Sequence, residues 1–133
     1  MKVDGQCHCG MVSFEATVDP ARVSVCHCTD CQTLTGSPFR VTAPTARENI
    51  RLTGEAPKIY VKVGASGNKR RQYFCPECGT PVFVSGEDDA GEWGIRWGCI
   101  RQRAELKPAR QIWRRSALPW LGEVDELPGR DTD

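Results

Sequence analysis

The chain has 133 residues, 39% of them hydrophobic and 26% charged, and eighteen Lys and Arg against seventeen Asp and Glu leave a formal charge of +1. That length suits one domain able to bury about two-thirds of its unfolded surface, and the composition is globular rather than disordered or fibrous. A charge so near balance excludes global attraction to nucleic acid or an anionic membrane, so any charged partner must be recognised locally.

No apolar stretch approaches bilayer length, and Met1-Lys-Val-Asp-Gly5 runs into a cysteine motif rather than a secretory leader, so the expectation is a cytoplasmic protein without a membrane partner. In that reducing compartment eight cysteines would not normally be kept as disulfides, and the tight clusters among them point to metal. Cys7 with Cys9, or Cys26 with Cys28, are also too close in sequence to pair with each other without strain.

In chain order, Cys7-His-Cys9 comes first, and residues 12–18 then alternate apolar and polar, the period of a half-buried strand. Residues 23–26 read as a second short strand, 28–34 as one helical turn or knuckle, and Gly36-Ser-Pro38 as its stop. Residues 39–42, 50–52 and 59–63 continue the short-strand rhythm, separated by Pro44, Gly54 and Pro57. Residues 64–71 read as a polar, basic loop, and 71–74 and 81–84 as strands flanking Cys75-Pro-Glu-Cys78-Gly79. Residues 87–92 form an expected acidic turn and 93–100 a strand, followed by a polar tail with isolated Ile112, Trp113, Trp120 and Leu121. With no long amphipathic helix, the expectation is a mainly β fold of small antiparallel sheets organised around zinc sites. It would be a single domain over 1–133, with an ordered core of about 3–122.

A closed zinc site needs four thiolates on a tetrahedron, and two pairs from distant segments achieve this well. Cys7 and Cys9, two apart on a strand, would share a face while His8 turns away. Cys75 and Cys78 have knuckle spacing, with Gly79 allowing the backbone turn. A redox reading of Cys75-Pro-Glu-Cys78 would need a strand-to-helix context, whereas a strand follows. Cys26-His-Cys28-Thr-Asp-Cys31 packs three thiols into six residues, enough for three corners of a second site. A zinc with three protein ligands and one exchangeable position acts as a Lewis acid or holds a substrate thiolate. The competing reading puts Cys99 or His27 in the fourth corner and makes the site inert. Against it, Cys99 sits in an apolar strand, where a lone cysteine is commonly a small buried hydrophobe, and His27, like His8, lies between two cysteines. Iron would also suit four thiolates.

Gly5-Gln-Cys7-His-Cys9-Gly10, Cys26-His-Cys28-Thr-Asp-Cys31, Gly36-Ser-Pro-Phe39 and Phe74-Cys75-Pro-Glu-Cys78-Gly79, with Pro108, Ile112, Trp113, Leu118-Pro-Trp-Leu121 and Leu127-Pro128 in the tail, together resemble the glutathione-dependent formaldehyde-activating family, which includes centromere protein V. The resemblance implies a structural zinc on Cys7, Cys9, Cys75 and Cys78, a catalytic zinc on Cys26, Cys28 and Cys31, and small antiparallel sheets around both. It also implies a carbon-sulfur lyase that joins glutathione to formaldehyde as S-hydroxymethylglutathione. Glutathione carries two carboxylates, for which Arg40, Lys69, Arg70 and Arg71 are the basic candidates, each with a solvated surface role as the alternative. After Trp97-Gly98 the chain departs from the family pattern, reading Cys99-Ile-Arg-Gln102 where a small polar residue and an acidic stretch are usual. The other functional reading is a non-catalytic zinc module that binds protein or nucleic acid. Its basic tract would have to come from residues 69–71 and Arg114-Arg115, too sparse for a nucleic-acid footprint.

Overall fold

The computed structural model describes residues 1–88 and 91–133, so the acidic turn expected over 87–92 lies partly outside the described residues. The described strands are β1 (Lys2–Gln6), β2 (Ser13–Thr17), β3 (Ser24–Cys26), β4 (Arg40–Ala46), β5 (Ile50–Leu52), β6 (Lys58–Val63), β7 (Lys69–Phe74), β8 (Pro81–Ser85), β9 (Glu92–Arg96) and β10 (Arg110–Ile112), with one α-helix, α1 (Thr29–Thr35). A three-stranded sheet has the order β1-β2-β5, and a seven-stranded sheet the order β10-β3-β4-β9-β8-β7-β6. No described helix is long and apolar enough to cross a membrane.

The alternation seen in residues 12–18 works as expected: Phe14 and Ala16 turn inward while Glu15 and Thr17 face solvent. Val3 and Ile50 join them on the small sheet, and Ala43, Tyr73, Phe83, Trp93 and Ile95 come from the large one. An aromatic chain bridges the two sheets. The Phe14 and Phe83 rings lie 5.2 Å apart edge to face, Phe83 and Trp93 5.8 Å apart, and Tyr73 and Trp93 4.6 Å apart.

Four sequence expectations need correction. The large sheet is not wholly antiparallel, because β10, which has no apolar periodicity, runs parallel to β3. Pro44 does not end a strand; it sits inside β4, opposite Gly94 of β9, where the pairing with β3 has already stopped at Thr42 and a missing N–H costs little. The supposed loop at 64–71 ends early, since β7 begins at Lys69. The expected strand over 93–100 stops at Arg96 and turns through a 3-10 segment, Trp97–Cys99.

Register then sets the two faces of the large sheet. Cys26 pairs with Arg40, Thr42 with Arg96, Val84 with Gly94, and Gln72 with Val84, so these side chains share one face. The intervening residues, such as Ala43, Ile95, Phe83 and Tyr73, face the core. Gly94 keeps the polar face open and flat, because a Cβ there would meet Thr42 Cγ2 at 2.5 Å and Val84 Cγ1 at 2.8 Å.

Candidate metal centres and the cavity between them

The turn after β1 and the turn between β7 and β8 bring Cys7, Cys9, Cys75 and Cys78 together, with all four sulfurs within 4.8 Å of one another. Cys9 Sγ lies 3.6 Å from Cys7 Sγ and 3.7 Å from Cys75 Sγ. Four sulfurs at metal–sulfur distances of about 2.3 Å form a tetrahedron with edges of about 3.8 Å, so the spacing fits a closed four-thiolate site.

The two turns are built alike. Gly10 and Gly79 take φ of 85° and 77°, and each donates its N–H to the carbonyl of the first cysteine of its pair, Cys7 and Cys75. Backbone N–H groups aim at the sulfurs: Val12 donates to Cys7 Sγ at 3.3 Å, and Glu77 and Cys78 donate to Cys75 Sγ at 3.4 Å. Convergence here comes from a turn rather than from strand alternation, because β1 ends at Gln6. Thr80 ties the halves together, its Oγ1 accepting from the His8 N–H at 3.1 Å and sitting 3.1 Å from Cys78 Sγ. That hydroxyl first, then the backbone N–H groups of Thr80 and Cys9, draw the Cys78 thiol down to about 5.

The second cluster rises from the edge of the polar face. Cys26 ends β3, Cys28 caps α1 with its sulfur accepting from the Cys31 N–H at 3.2 Å, and Cys31 lies in the helix's first turn. The three sulfurs again lie within 4.8 Å of one another, and among the described residues no fourth His, Cys, Asp or Glu atom completes the group. Cys26 is lowered by its contact with Cys31, while Cys31 is raised by Cys26 and then by burial, as for two thiols sharing a proton.

Neither residue considered for the fourth corner stands there. His27 is buried with Nε2 2.9 Å from Gln111 Oε1 and its ring edge-on to Phe39. Cys99 is buried beside the four-thiol cluster, where its Sγ donates to the Pro81 carbonyl at 3.0 Å and burial pushes its thiol up to about 12.

The tail, polar in sequence, holds the three-thiol segment in place. β10 pairs with β3 so that Ile112 lies opposite Cys26, His27 N–H donates to the Ile112 carbonyl, and Gln32 Nε2 donates to the carbonyls of His27 and Ser116. Trp113, at φ 58°, occupies a backbone region that bulky side chains rarely adopt, and it lines the cavity above Cys26, Cys28 and Cys31.

That cavity, about 560 Å³, is also walled by Arg70, Gln72, Arg96 and Arg110. Of the four basic candidates, Arg40 pairs across the sheet with Cys26, and Arg70 lines the cavity. Lys69 and Arg71 alternate with Arg70 along β7 and take no part in that wall; Lys69 instead approaches Glu87 at 3.6 Å. Arg96 is not among those candidates, although an arginine within the apolar run Trp93-Gly-Ile-Arg-Trp97 is a local signal for it.

A model of the family described as "Glutathione-dependent formaldehyde-activating enzyme" matches residues 2–116. An uncharacterized lyase of Schizosaccharomyces pombe is 26% identical over 82 residues, covering 62% of this chain and 56% of that protein, so the match spans little more than half of the relative. The crystal structure of a Rhodobacter sphaeroides protein superposes with a TM-score of 0.63 at 18% identity, covering 82% of this chain and 99% of the other, a likeness of fold alone.

Proposed function

The chain belongs to the glutathione-dependent formaldehyde-activating enzyme family, and on that premise we propose that it is a carbon-sulfur lyase acting on the adduct of glutathione, or a similar thiol, with formaldehyde or a related small aldehyde. The observation that carries this reading is the three-thiol cluster, which opens on a cavity and has no fourth His, Cys, Asp or Glu ligand among the described residues. In the proposal each chain holds two zinc ions, one on Cys7, Cys9, Cys75 and Cys78 and one on Cys26, Cys28 and Cys31, and works in a reducing cytoplasm as one domain over residues 1–133. The ordered core of that domain is about 3–122.

Cys26, Cys28 and Cys31 would hold the zinc, whose positive charge would keep an incoming thiol ionised at neutral pH. In the synthetic direction the thiolate sulfur attacks the carbonyl carbon of formaldehyde. The C–S bond forms as the C=O π pair moves to oxygen, which takes up a proton; the lyase direction reverses each step. Cys26, Cys28 and Cys31 fix the place of attack, and Arg40 and Arg70 orient the carboxylates of the thiol.

The test is magnetisation transfer by NMR between glutathione, formaldehyde and their adduct, because thiols add to formaldehyde unaided and detection of the adduct alone proves nothing. Zinc-loaded protein should accelerate the exchange well above the uncatalysed rate. An exchange rate unchanged at stoichiometric protein would refute the assignment.

A further inference from the structure

Arg40 and Arg96 are both buried, at 4% and 8% exposure, and stand side by side on the polar face of the large sheet. Both reach the same acceptor, Gln72 Oε1, Arg40 through Nη1 at 3.3 Å and Arg96 through Nη2 at 2.6 Å. Arg96 Nη1 also donates to Thr42 Oγ1 at 2.9 Å, and its Nε is buried with no partner. The hydrogen-bond partners of the two guanidiniums, Gln72 and Thr42, are neutral, and among the described ion pairs neither finds a carboxylate.

Two like charges out of water without a counter-ion are costly, because neither regains the hydration it loses. Burial first, and then the charge of Arg40, accordingly push the Arg96 guanidinium down to about 9. In the substrate-free site the nearby thiols would supply only part of the missing charge, because three thiolates around a divalent ion would leave a single negative charge against two guanidiniums. The carboxylates on the three-thiol cavity wall are engaged elsewhere, Asp30 with Lys62 at 3.0 Å and Glu92 with Arg22. Arg96, which lines the three-thiol cavity, and Arg40, which does not, together line a second cavity of about 750 Å³ that reaches toward Cys7 and Cys99, carries Arg101 and Arg103, and has no carboxylate on its described wall.

We infer that Arg40 and Arg96 form an anion subsite that takes the carboxylate of a substrate thiol whose sulfur sits at Cys26, Cys28 and Cys31. This rests on the thiol-binding reading of that cluster and adds a selection rule to it: small thiols bearing a carboxylate are substrates, and otherwise similar neutral thiols are poor ones. Paired guanidiniums present planar donor forks that match a carboxylate, and Arg96 Nε–H is a donor still lacking an acceptor. Gln72, accepting from both arginines, holds the forks in place as a positioning residue.

The test uses full-length protein loaded with cobalt(II) in place of zinc, titrated with N-acetylcysteine and, separately, with its amide, following the sulfur-to-cobalt absorption bands. Wild type should bind the carboxylate thiol at least about tenfold more tightly, the scale of one charge-assisted contact. In Arg96→Gln that preference should fall toward unity while affinity for the amide stays within about twofold; the intrinsic acidity of the two thiols cancels because the same pair is compared in both proteins. Arg40→Gln should act in the same direction.

Should either variant misfold, acetate gives a test on wild type alone, since it should compete with N-acetylcysteine and not with the amide. Equal affinity for the two thiols in wild type, or acetate that leaves both titrations unmoved, overturns the subsite while leaving the thiol site standing. A spectrum that responds to neither thiol overturns both.

Discussion

The two cysteine clusters use the same side chain in different settings. Around the four-thiol cluster the surroundings are mainly backbone, with N–H groups from Val12, Glu77 and Cys78 and glycine turns at Gly10 and Gly79, joined by the Thr80 hydroxyl. It joins the turn after β1 to the turn between β7 and β8, and so ties the small sheet to the large one. The three-thiol cluster is local in sequence, faces a cavity, and is backed by side-chain charge. Thiol count therefore says less about role than what each cluster connects. A cross-link between sheets serves the fold, whereas a cluster contained within six residues leaves the fold indifferent to it.

The largest expected effect follows from that difference. Cys75→Ser removes a corner of the cross-link, and the binding free energy of a structural zinc, about 10–16 kcal/mol in small metal-folded peptides, exceeds the whole stability of many domains. Circular dichroism should show loss of a cooperative thermal transition, and a melt matching wild type would break the comparison from the closed side. Cys28→Ser should do much less to the fold. Serine can cap α1 as the Cys28 sulfur does, by accepting from the Cys31 N–H. Metal content should fall from two per chain to one, with a melting shift of about 4–8 °C or less. Global collapse of Cys28→Ser would mean that the second cluster is also structural.

How far the sequence reveals this arrangement depends on the range of the interaction. Local chemistry was legible: the Cys75-x-x-Cys78-Gly79 turn, the Cys28 helical turn, the strand Ile50–Leu52 and the grouping of seven cysteines all follow from spacing and turn residues. What escaped is set by register between distant strands. Nothing local says that Arg40 lies opposite Cys26, that Arg96 lies opposite Thr42, or that Gln72 stands between two arginines. β1 was missed because Asp4 and Gly5 mask its alternation, and β10 because all three of its residues are exposed and its partner is 86 positions away, Arg110 against Ser24. The basic candidates at residues 69–71 are accordingly split by strand alternation, and of the three only Arg70 lines the three-thiol cavity.

Cys99 offers the smallest effect and sharpens the comparison most finely, since it is a thiol beside the closed cluster that does not belong to it. Burial is the first cause of its raised pKa, about 12 in the fold against a reference of 9.0, with the charges of Cys7 and Cys78 next. Above about pH 9 the unfolded chain releases this proton while the folded chain keeps it. The unfolded state then binds fewer protons, so stability falls as pH rises from about 9 toward 12. At pH 7 Cys99→Ala should cost about 1 kcal/mol for the lost hydrogen bond to Pro81 and the small void, and it should leave metal content unchanged. The variant lacks the alkaline penalty, so the two urea-unfolding stabilities should converge as pH rises past 9. Parallel curves would show that the Cys99 thiol ionises as readily in the fold as in the open chain. A metal ion lost at pH 7 would instead make Cys99 a ligand and redraw the boundary of the closed cluster.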